Sequence, residues 1–226
     1  MYKKFEKQIG MKFKNWHLLR TAFVHRSYLN EHKSSELEHN ERLEFLGDAV
    51  LELVVTEHLY CEFPNPEGDL TNWRSALVKG TMLAKVAKEL DIGKYLFLSH
   101  GEEKSGGREK DYLLANTFEA VIGVIYLELG YKKAKKFIDK FLLVRLDEIL
   151  KTGSHIDAKS KLQEIAQEKV GTTPDYQIQH EEGPDHDKMF TMGAFIGDRM
   201  VGKGKGSSKQ IAEQVAAEDA LKRLKW

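Results

Sequence analysis

Glu41, Glu44 and Asp48 stand at spacings of three and four in "HNERLEFLGDAVLELVV" (residues 39–55), a segment that is otherwise apolar and strongly helix-forming. At about 100° per residue, a helix places these three carboxylates within roughly 60° of one another. Leu43, Leu46, Val50, Leu53 and Val54 then take the opposite, core-facing side. No Lys or Arg occupies the i+3 or i+4 positions that would neutralise the acids. A solvated acidic face is one reading of such a stripe. A second segment offers another: "LLANTFEAVIGVIYLELG" (residues 113–130) is apolar nearly all round, yet holds Glu119 three residues after Asn116. A helix of that composition is expected to be buried, and a buried carboxylate needs a cation or a proton. An Arg or Lys from elsewhere would satisfy it. So would a crossing of the two helices, which joins Glu41, Glu44, Asp48, Asn116 and Glu119 into an oxygen-only cluster suited to Mg²⁺ or Mn²⁺. A metal centre of that kind activates water and stabilises the charge of an in-line displacement at a phosphodiester.

The elements expected to position these residues fall into two regions of different grammar. Up to about residue 150 the pattern is helix after helix. Leu83, Val86, Ala87 and Leu90 form one apolar stripe and Phe137, Phe141 and Val144 another, with breaks at Pro64 and Pro66 and at the Gly-rich "HGEEKSGGRE". No strand is expected there. Residues 151–155, "KTGSH", are polar and aperiodic, as a linker would be. From residue 156 to 226 the order is helix, three strands, helix. Leu162, Ile165, Ala166 and Val170 share one side of residues 157–169. "DYQIQHEE", "KMFTMGAFIG" and "RMVGKGKG" supply the strands, with Phe190, Met192, Ala194 and Ile196 alternating to one face; Ala212, Ala216, Ala220 and Leu224 line up in the last helix. The expected fold is an all-α domain (1–150) followed by a small α+β domain of α-β-β-β-α order.

Composition narrows the class. Hydrophobic residues make up 41% and charged residues 31% of the 226, which excludes a disordered chain, and the apolar runs read as too short or too interrupted for a bilayer. The start lacks the apolar core of a signal peptide, and one cysteine cannot close an intrachain disulfide, so a reducing cytoplasm is expected. Formal charge is +0, with 12 basic and 12 acidic residues in 151–226. Any nucleic-acid contact must therefore come from local clusters. Lys203, Lys205 and Lys209, before and at the start of the last helix in "GKGKGSSKQIAEQVAA", have the composition of a phosphate clamp; Ser207 and Gln210 also fit a capping box.

"NERLEFLGDAVL" resembles the signature segment of ribonuclease III, the double-stranded-RNA endonuclease. The resemblance continues through "FPNPEGDLTNWRSALVKGTMLAKVAKELDIGKYL" and "KSGGREKDYLLANTFEAVIGVIYLELG", then through a C-terminal segment similar to a double-stranded-RNA-binding domain. It implies a Mg²⁺-dependent hydrolase (Mn²⁺ substituting) without organic cofactor, acting as a homodimer on duplex RNA in processing of ribosomal precursor and structured messenger RNA. Hydrolysis would leave a 5′-phosphate and a 3′-hydroxyl. Matching the motif puts Glu44, Asp48 and Glu119 at metal positions, Asp48 and Glu119 being the most essential. Glu41 falls at an acidic position by the dimer interface, Glu67 at another acid lining the cleft, and Phe45 at an aromatic that enters the partner subunit. The helix reading agrees in leaving Phe45 off the core face. In the second domain the resemblance implies minor-groove contacts by Gln163, Glu164 and Gln167, and by His186 in "GPDHDK". Two positions depart from the family: Asn116 stands where Asp is usual, removing one charge while keeping a ligating carbonyl oxygen, and Gln210 replaces a basic residue beside Lys209. Two rival readings remain at this point, an RNA-binding protein without chemistry and a hydrolase of small phosphate esters.

Overall fold

Short polar side chains set where several helices begin. The Asn15 side chain accepts from the Leu18 N–H at 3.0 Å, and Ser99 Oγ from the Glu102 N–H at 3.2 Å, satisfying donors that a helix start leaves open. The computed structural model describes residues 2–152, 158–184 and 188–226. The chain divides into two units, Met1–His155 and Ile156–Trp226.

The first unit contains α1 (Tyr2–Ile9), α2 (Trp16–Thr21), α3 (Arg26–Glu31), α4 (Glu41–Glu62), α5 (Glu67–Val78), α6 (Gly80–Glu89), α7 (His100–Lys104), α8 (Asp111–Leu129), α9 (Tyr131–Phe141) and α10 (Leu146–Thr152). Extended pairing among its described residues amounts to an isolated bridge between Val24 and Phe97. Pro66 ends the loop before α5, as its fixed φ favours. The Gly-rich stretch expected as a break folds instead into α7 and a 3₁₀ turn at Gly107–Glu109, fastened by Arg108, whose Nη1 donates to the Gly93 and Leu96 carbonyls at 2.9 Å each. α10 runs through residues 151 and 152, so the start of the expected linker is helical; residues 153–157 lie outside the described set.

α8 is the central helix. On length and composition alone it is apolar enough to cross a membrane, contrary to the expectation from sequence. Here it is buried within the unit, with Phe118, Val121, Ile122, Val124 and Ile125 fully inaccessible. α4 lies against it, and the crossing is made by glycines. A Cβ on Gly47 would lie 1.8 Å from the Glu119 carbonyl oxygen, and one on Gly123 would lie 2.3 Å from the Leu43 carbonyl oxygen. The two backbones therefore touch, a distance no side chain permits. Leu43, Val50 and Val54 are buried as the periodicity predicts, and Leu46 partly so, but Leu53 is 57% exposed. It belongs to an outward stripe of α4 with Phe45, Ala49, Thr56 and Tyr60, spaced at three and four. Val144 and Val170, also read as core, are exposed; Val144 lies in a 3₁₀ turn that breaks the α periodicity, and Val170 ends its helix.

The second unit is α11 (Ala158–Val170), an antiparallel sheet β1 (Asp175–Glu182), β2 (Met189–Ile196), β3 (Arg199–Gly206) in that order, and α12 (Lys209–Leu224). Met192 and Ala194 are buried, and Phe190 and Ile196 pack against the same cluster, which Ala158, Leu162, Ala212, Ala216 and Ala220 complete from the helices. Gly202, Gly204 and Gly206 face α12 so closely that Cβ atoms there would lie 2.2, 2.2 and 2.6 Å from Ala216, Ala216 and Ile211 atoms. The glycine–alanine match lets a strand and a helix approach by main chain.

Candidate active site and RNA-binding faces

The Gly47–Gly123 crossing sets the acids. Gly47 lies one helical turn after Glu44 and directly before Asp48, and its contact is with the backbone of Glu119 itself. α4 and α8 thus deliver their carboxylates to one locus. Glu119 is half-buried. Burial first, then the charges of Asp48 and Glu44, push its carboxyl from the ordinary 4.5 up to about 8. Glu44 is also pushed up, by burial, then by Glu41, with a smaller contribution from Asp48, while a hydrogen bond from the Asn116 side chain opposes the rise. These couplings require proximity. Asn116 thus serves Glu44 as a donor, a role the usual Asp could not fill when ionised.

The carboxylates are neighbours without being a closed shell. Among the described residues no three His, Cys, Asp or Glu side chains are grouped tightly enough to hold an ion as they stand. The donor chemistry still fits a hard divalent cation: every candidate atom is oxygen, and Glu119 is a half-buried acid flanked by two others.

Glu41 stands beside Glu44, and it also meets a cation that the spacing on α4 did not show. Its Oε1 pairs with Arg26 Nε at 3.2 Å, and His39 Nδ1 lies 3.7 Å from Oε2. A cation arrives from α3, where helical spacing on α4 could not show it. Glu41, Glu44 and Asn116 share a small cavity of about 70 Å³ with His25, Asn40 and Tyr112, three residues that sequence reasoning missed. Asn40 is buried, donating through Nδ2 to the Ala22 carbonyl at 3.2 Å and through its backbone N–H to Val24 at 2.9 Å. It fastens the start of α4 to the segment carrying His25, whose ring burial pushes down in pKa despite Glu102 and Glu41. Glu67 is not brought to this locus within one chain. It opens α5, accepts from Thr71 Oγ1 at 2.8 Å and lines a separate cavity with Tyr60 and Arg74.

In the second unit Gln163, Glu164 and Gln167 are exposed on α11, and Lys209 and Gln210 are exposed at the start of α12. Lys203 and Lys205 do not join Lys209. Because Gly202, Gly204 and Gly206 face α12, the intervening lysines point from the other side of the sheet, where Lys205 pairs with Glu182. The expected three-lysine clamp is thus two separate features. Its capping reading shifts by one residue: Ser208, not Ser207, caps α12, accepting from the Ile211 N–H at 3.2 Å. His186 lies outside the described residues.

Two sequence patterns match this chain, one described as Ribonuclease-III-like over residues 15–146 and one as a double-stranded RNA binding motif over residues 158–224. The chain belongs to the ribonuclease III family. It is 45% identical over 221 residues to Ribonuclease 3 of Enterococcus faecalis, covering 97% of this chain and 95% of that protein. Ribonuclease 3 of Borreliella burgdorferi is 43% identical over 224 residues, 98% and 90% respectively. Among solved structures, the nuclease domain of ribonuclease III from Campylobacter jejuni, studied for flexibility in a region involved in dimer formation, is 41% identical. It superposes with a TM-score of 0.58 over 62% of this chain and 95% of that one. As a ribonuclease III, this protein is an endoribonuclease acting on double-stranded RNA, and its helical nuclease unit precedes a binding unit of α-β-β-β-α order.

Proposed function

We propose that this ribonuclease III hydrolyses phosphodiesters of duplex RNA with Mg²⁺, or Mn²⁺ in its place, leaving 5′-phosphate and 3′-hydroxyl ends. The observation that carries this reading is the convergence of Glu44, Asp48 and Glu119 where α4 and α8 touch at Gly47 and Gly123. Glu44, Asp48, Glu119 and the Asn116 carbonyl oxygen would hold the ion, which when bound supplies an activated water and stabilises charge at phosphorus. The protein's own contribution is positional. The glycine crossing fixes the separation of the two acid-bearing helices, Asn116 orients the Glu44 carboxylate, and Arg26 holds Glu41 at the rim. Asn116 in place of Asp lightens the site by one charge and weakens its hold on the ion.

Duplex RNA is read by shape across its minor groove. Exposed Gln163, Glu164 and Gln167 with Lys209 support that role for α11 and the start of α12, and His186 is assigned the second groove contact from the resemblance. Lys203 and Lys205, on the other face of the sheet, are assigned no duplex contact.

Two copies acting together would place one active site on each strand. Phe45 is 81% exposed and Tyr60 79%, with Leu53 between them on the same stripe of α4. A continuous apolar face of that kind supports a homodimer, with Glu67 lining the cleft that the pair forms. Ribosomal-precursor and structured messenger RNAs in the cytoplasm are the proposed substrates.

The test is cleavage of a blunt RNA duplex with Mg²⁺ and then with EDTA, alongside Glu119→Gln. The variant should bind the duplex with wild-type affinity and cut none of it. Full cleavage by Glu119→Gln at ordinary Mg²⁺ would overturn the assignment.

A further inference from the structure

An open cavity of about 580 Å³ is lined by Lys3, Glu6, Lys7, Met11, Lys12 and Trp16 among others. It shares no residue with the acid locus. Its construction follows from the local sequence. α1 buries Phe5 and Ile9, so Lys3 and Lys7 lie one turn apart on its outward side. Gly10, at φ +73°, turns the chain back, bringing Lys12 to the same rim before Trp16 opens α2. Trp16 is 41% exposed. It is not among the side chains packed on the apolar core, and its ring stacks on Tyr2 at 6.0 Å and 30°. Lys3, Lys7 and Lys12 are exposed, and among the described residues no acid stands within ion-pair distance of them. Glu6, the acid of the lining, is turned onto the Phe13 N–H at 2.7 Å.

An exposed indole edged by unpaired ammonium groups is the arrangement that takes a nucleobase on its face and phosphates on its rim. Solvated lysines alone would need no open tryptophan. In a chain of formal charge +0, such a cluster is a local feature, with no bulk attraction behind it.

We propose that this cavity binds an unpaired RNA strand, one base stacked on Trp16 and neighbouring phosphates held by Lys3, Lys7 and Lys12. The enzyme would thereby favour duplexes that carry a single-stranded extension. The inference rests on the reading above only for the identity of the strand as RNA next to a duplex.

The experiment uses the full-length protein in EDTA, with a uridylate dodecamer as probe and tryptophan fluorescence as readout. The dodecamer should quench the wild type, and Trp16→Leu should lose the quench and bind about tenfold more weakly, as expected for one lost stack. Trp16→Phe should restore most of the affinity. Lys3→Gln, Lys7→Gln and Lys12→Gln together should reduce the slope of log affinity against log salt by about 2, at roughly 0.7 per phosphate. Unchanged binding and unchanged salt slope in these variants would overturn the proposal. So would uridine monophosphate binding as tightly as the dodecamer, or phosphatidylserine vesicles quenching Trp16 equally. Blunt-duplex cleavage, read separately, should be wild-type in every one of these variants. Its absence in the wild-type protein would sink the catalytic reading while leaving the dodecamer result to decide this one.

Discussion

Replacing Glu119 by Gln should stabilise the metal-free protein, and by an amount that depends on pH. Glu119 titrates near 8 in the fold against an ordinary 4.5. The folded state therefore holds its proton more tightly than the unfolded state does. The sign follows: stability is undiminished below about 4.5, falls as pH rises from there through about 8, and stays at its reduced value above. At about 1.36 kcal/mol per tenfold change, the ceiling is about 5 kcal/mol. Glu119 is only half-buried and Asp48 is open to solvent, so screening brings the expected loss to about 1–2 kcal/mol. Gln keeps the shape and carries no charge. Urea denaturation in EDTA, at matched protein concentration, should give nearly equal stabilities at pH 4.5, with the variant ahead by about 1–2 kcal/mol at pH 9. Adding Mg²⁺ at pH 9 should favour the wild type. A difference that is flat with pH, or a wild type more stable than the variant at pH 9 in EDTA, would refute the electrostatic picture of the site.

Gly47→Ala must separate α4 from α8, because its Cβ would sit 1.8 Å from a backbone oxygen that cannot swing away; thermal unfolding should show a loss of about 1–3 kcal/mol or more, with Mg²⁺-induced stabilisation weakened in the same protein. Phe45→Glu should leave the monomer fold intact, since that ring is 81% exposed, and shift sedimentation from dimer to monomer at micromolar concentration. Lys209→Gln should weaken duplex binding and reduce its salt slope by about one, whereas Lys203→Gln with Lys205→Gln should change neither. Equal effects from both sets would contradict the placement of Lys203 and Lys205 across the sheet.

Periodicity made much of this molecule legible. The buried side of α4 at Leu43, Val50 and Val54 and the inward alternation of Met192 and Ala194 are patterns that a core imposes on neighbouring positions. Leu53 failed because a leucine on an outward stripe is indistinguishable, by type, from one on the core side. The acids were legible as residues, but the reason they meet was not: a mid-helix glycine is a weak signal, and only its partner across the crossing, 76 positions away in Gly123, gives Gly47 its meaning. Distance along the chain hid Arg26, His25 and Tyr112 in the same way. In β3 the Gly–Lys alternation announced a strand, yet which face the lysines took was decided by α12, whose alanines admit only glycine.

The bare-backbone seam between α4 and α8 has an evolutionary consequence. Main-chain geometry dictates how far apart the reactive oxygens stand, and the repulsion among Glu44, Asp48 and Glu119 works against the seam that holds them together. Catalysis can thus be switched off by one codon while the chassis survives, and a silenced descendant that kept both glycines would regain its chemistry once the missing acid was restored.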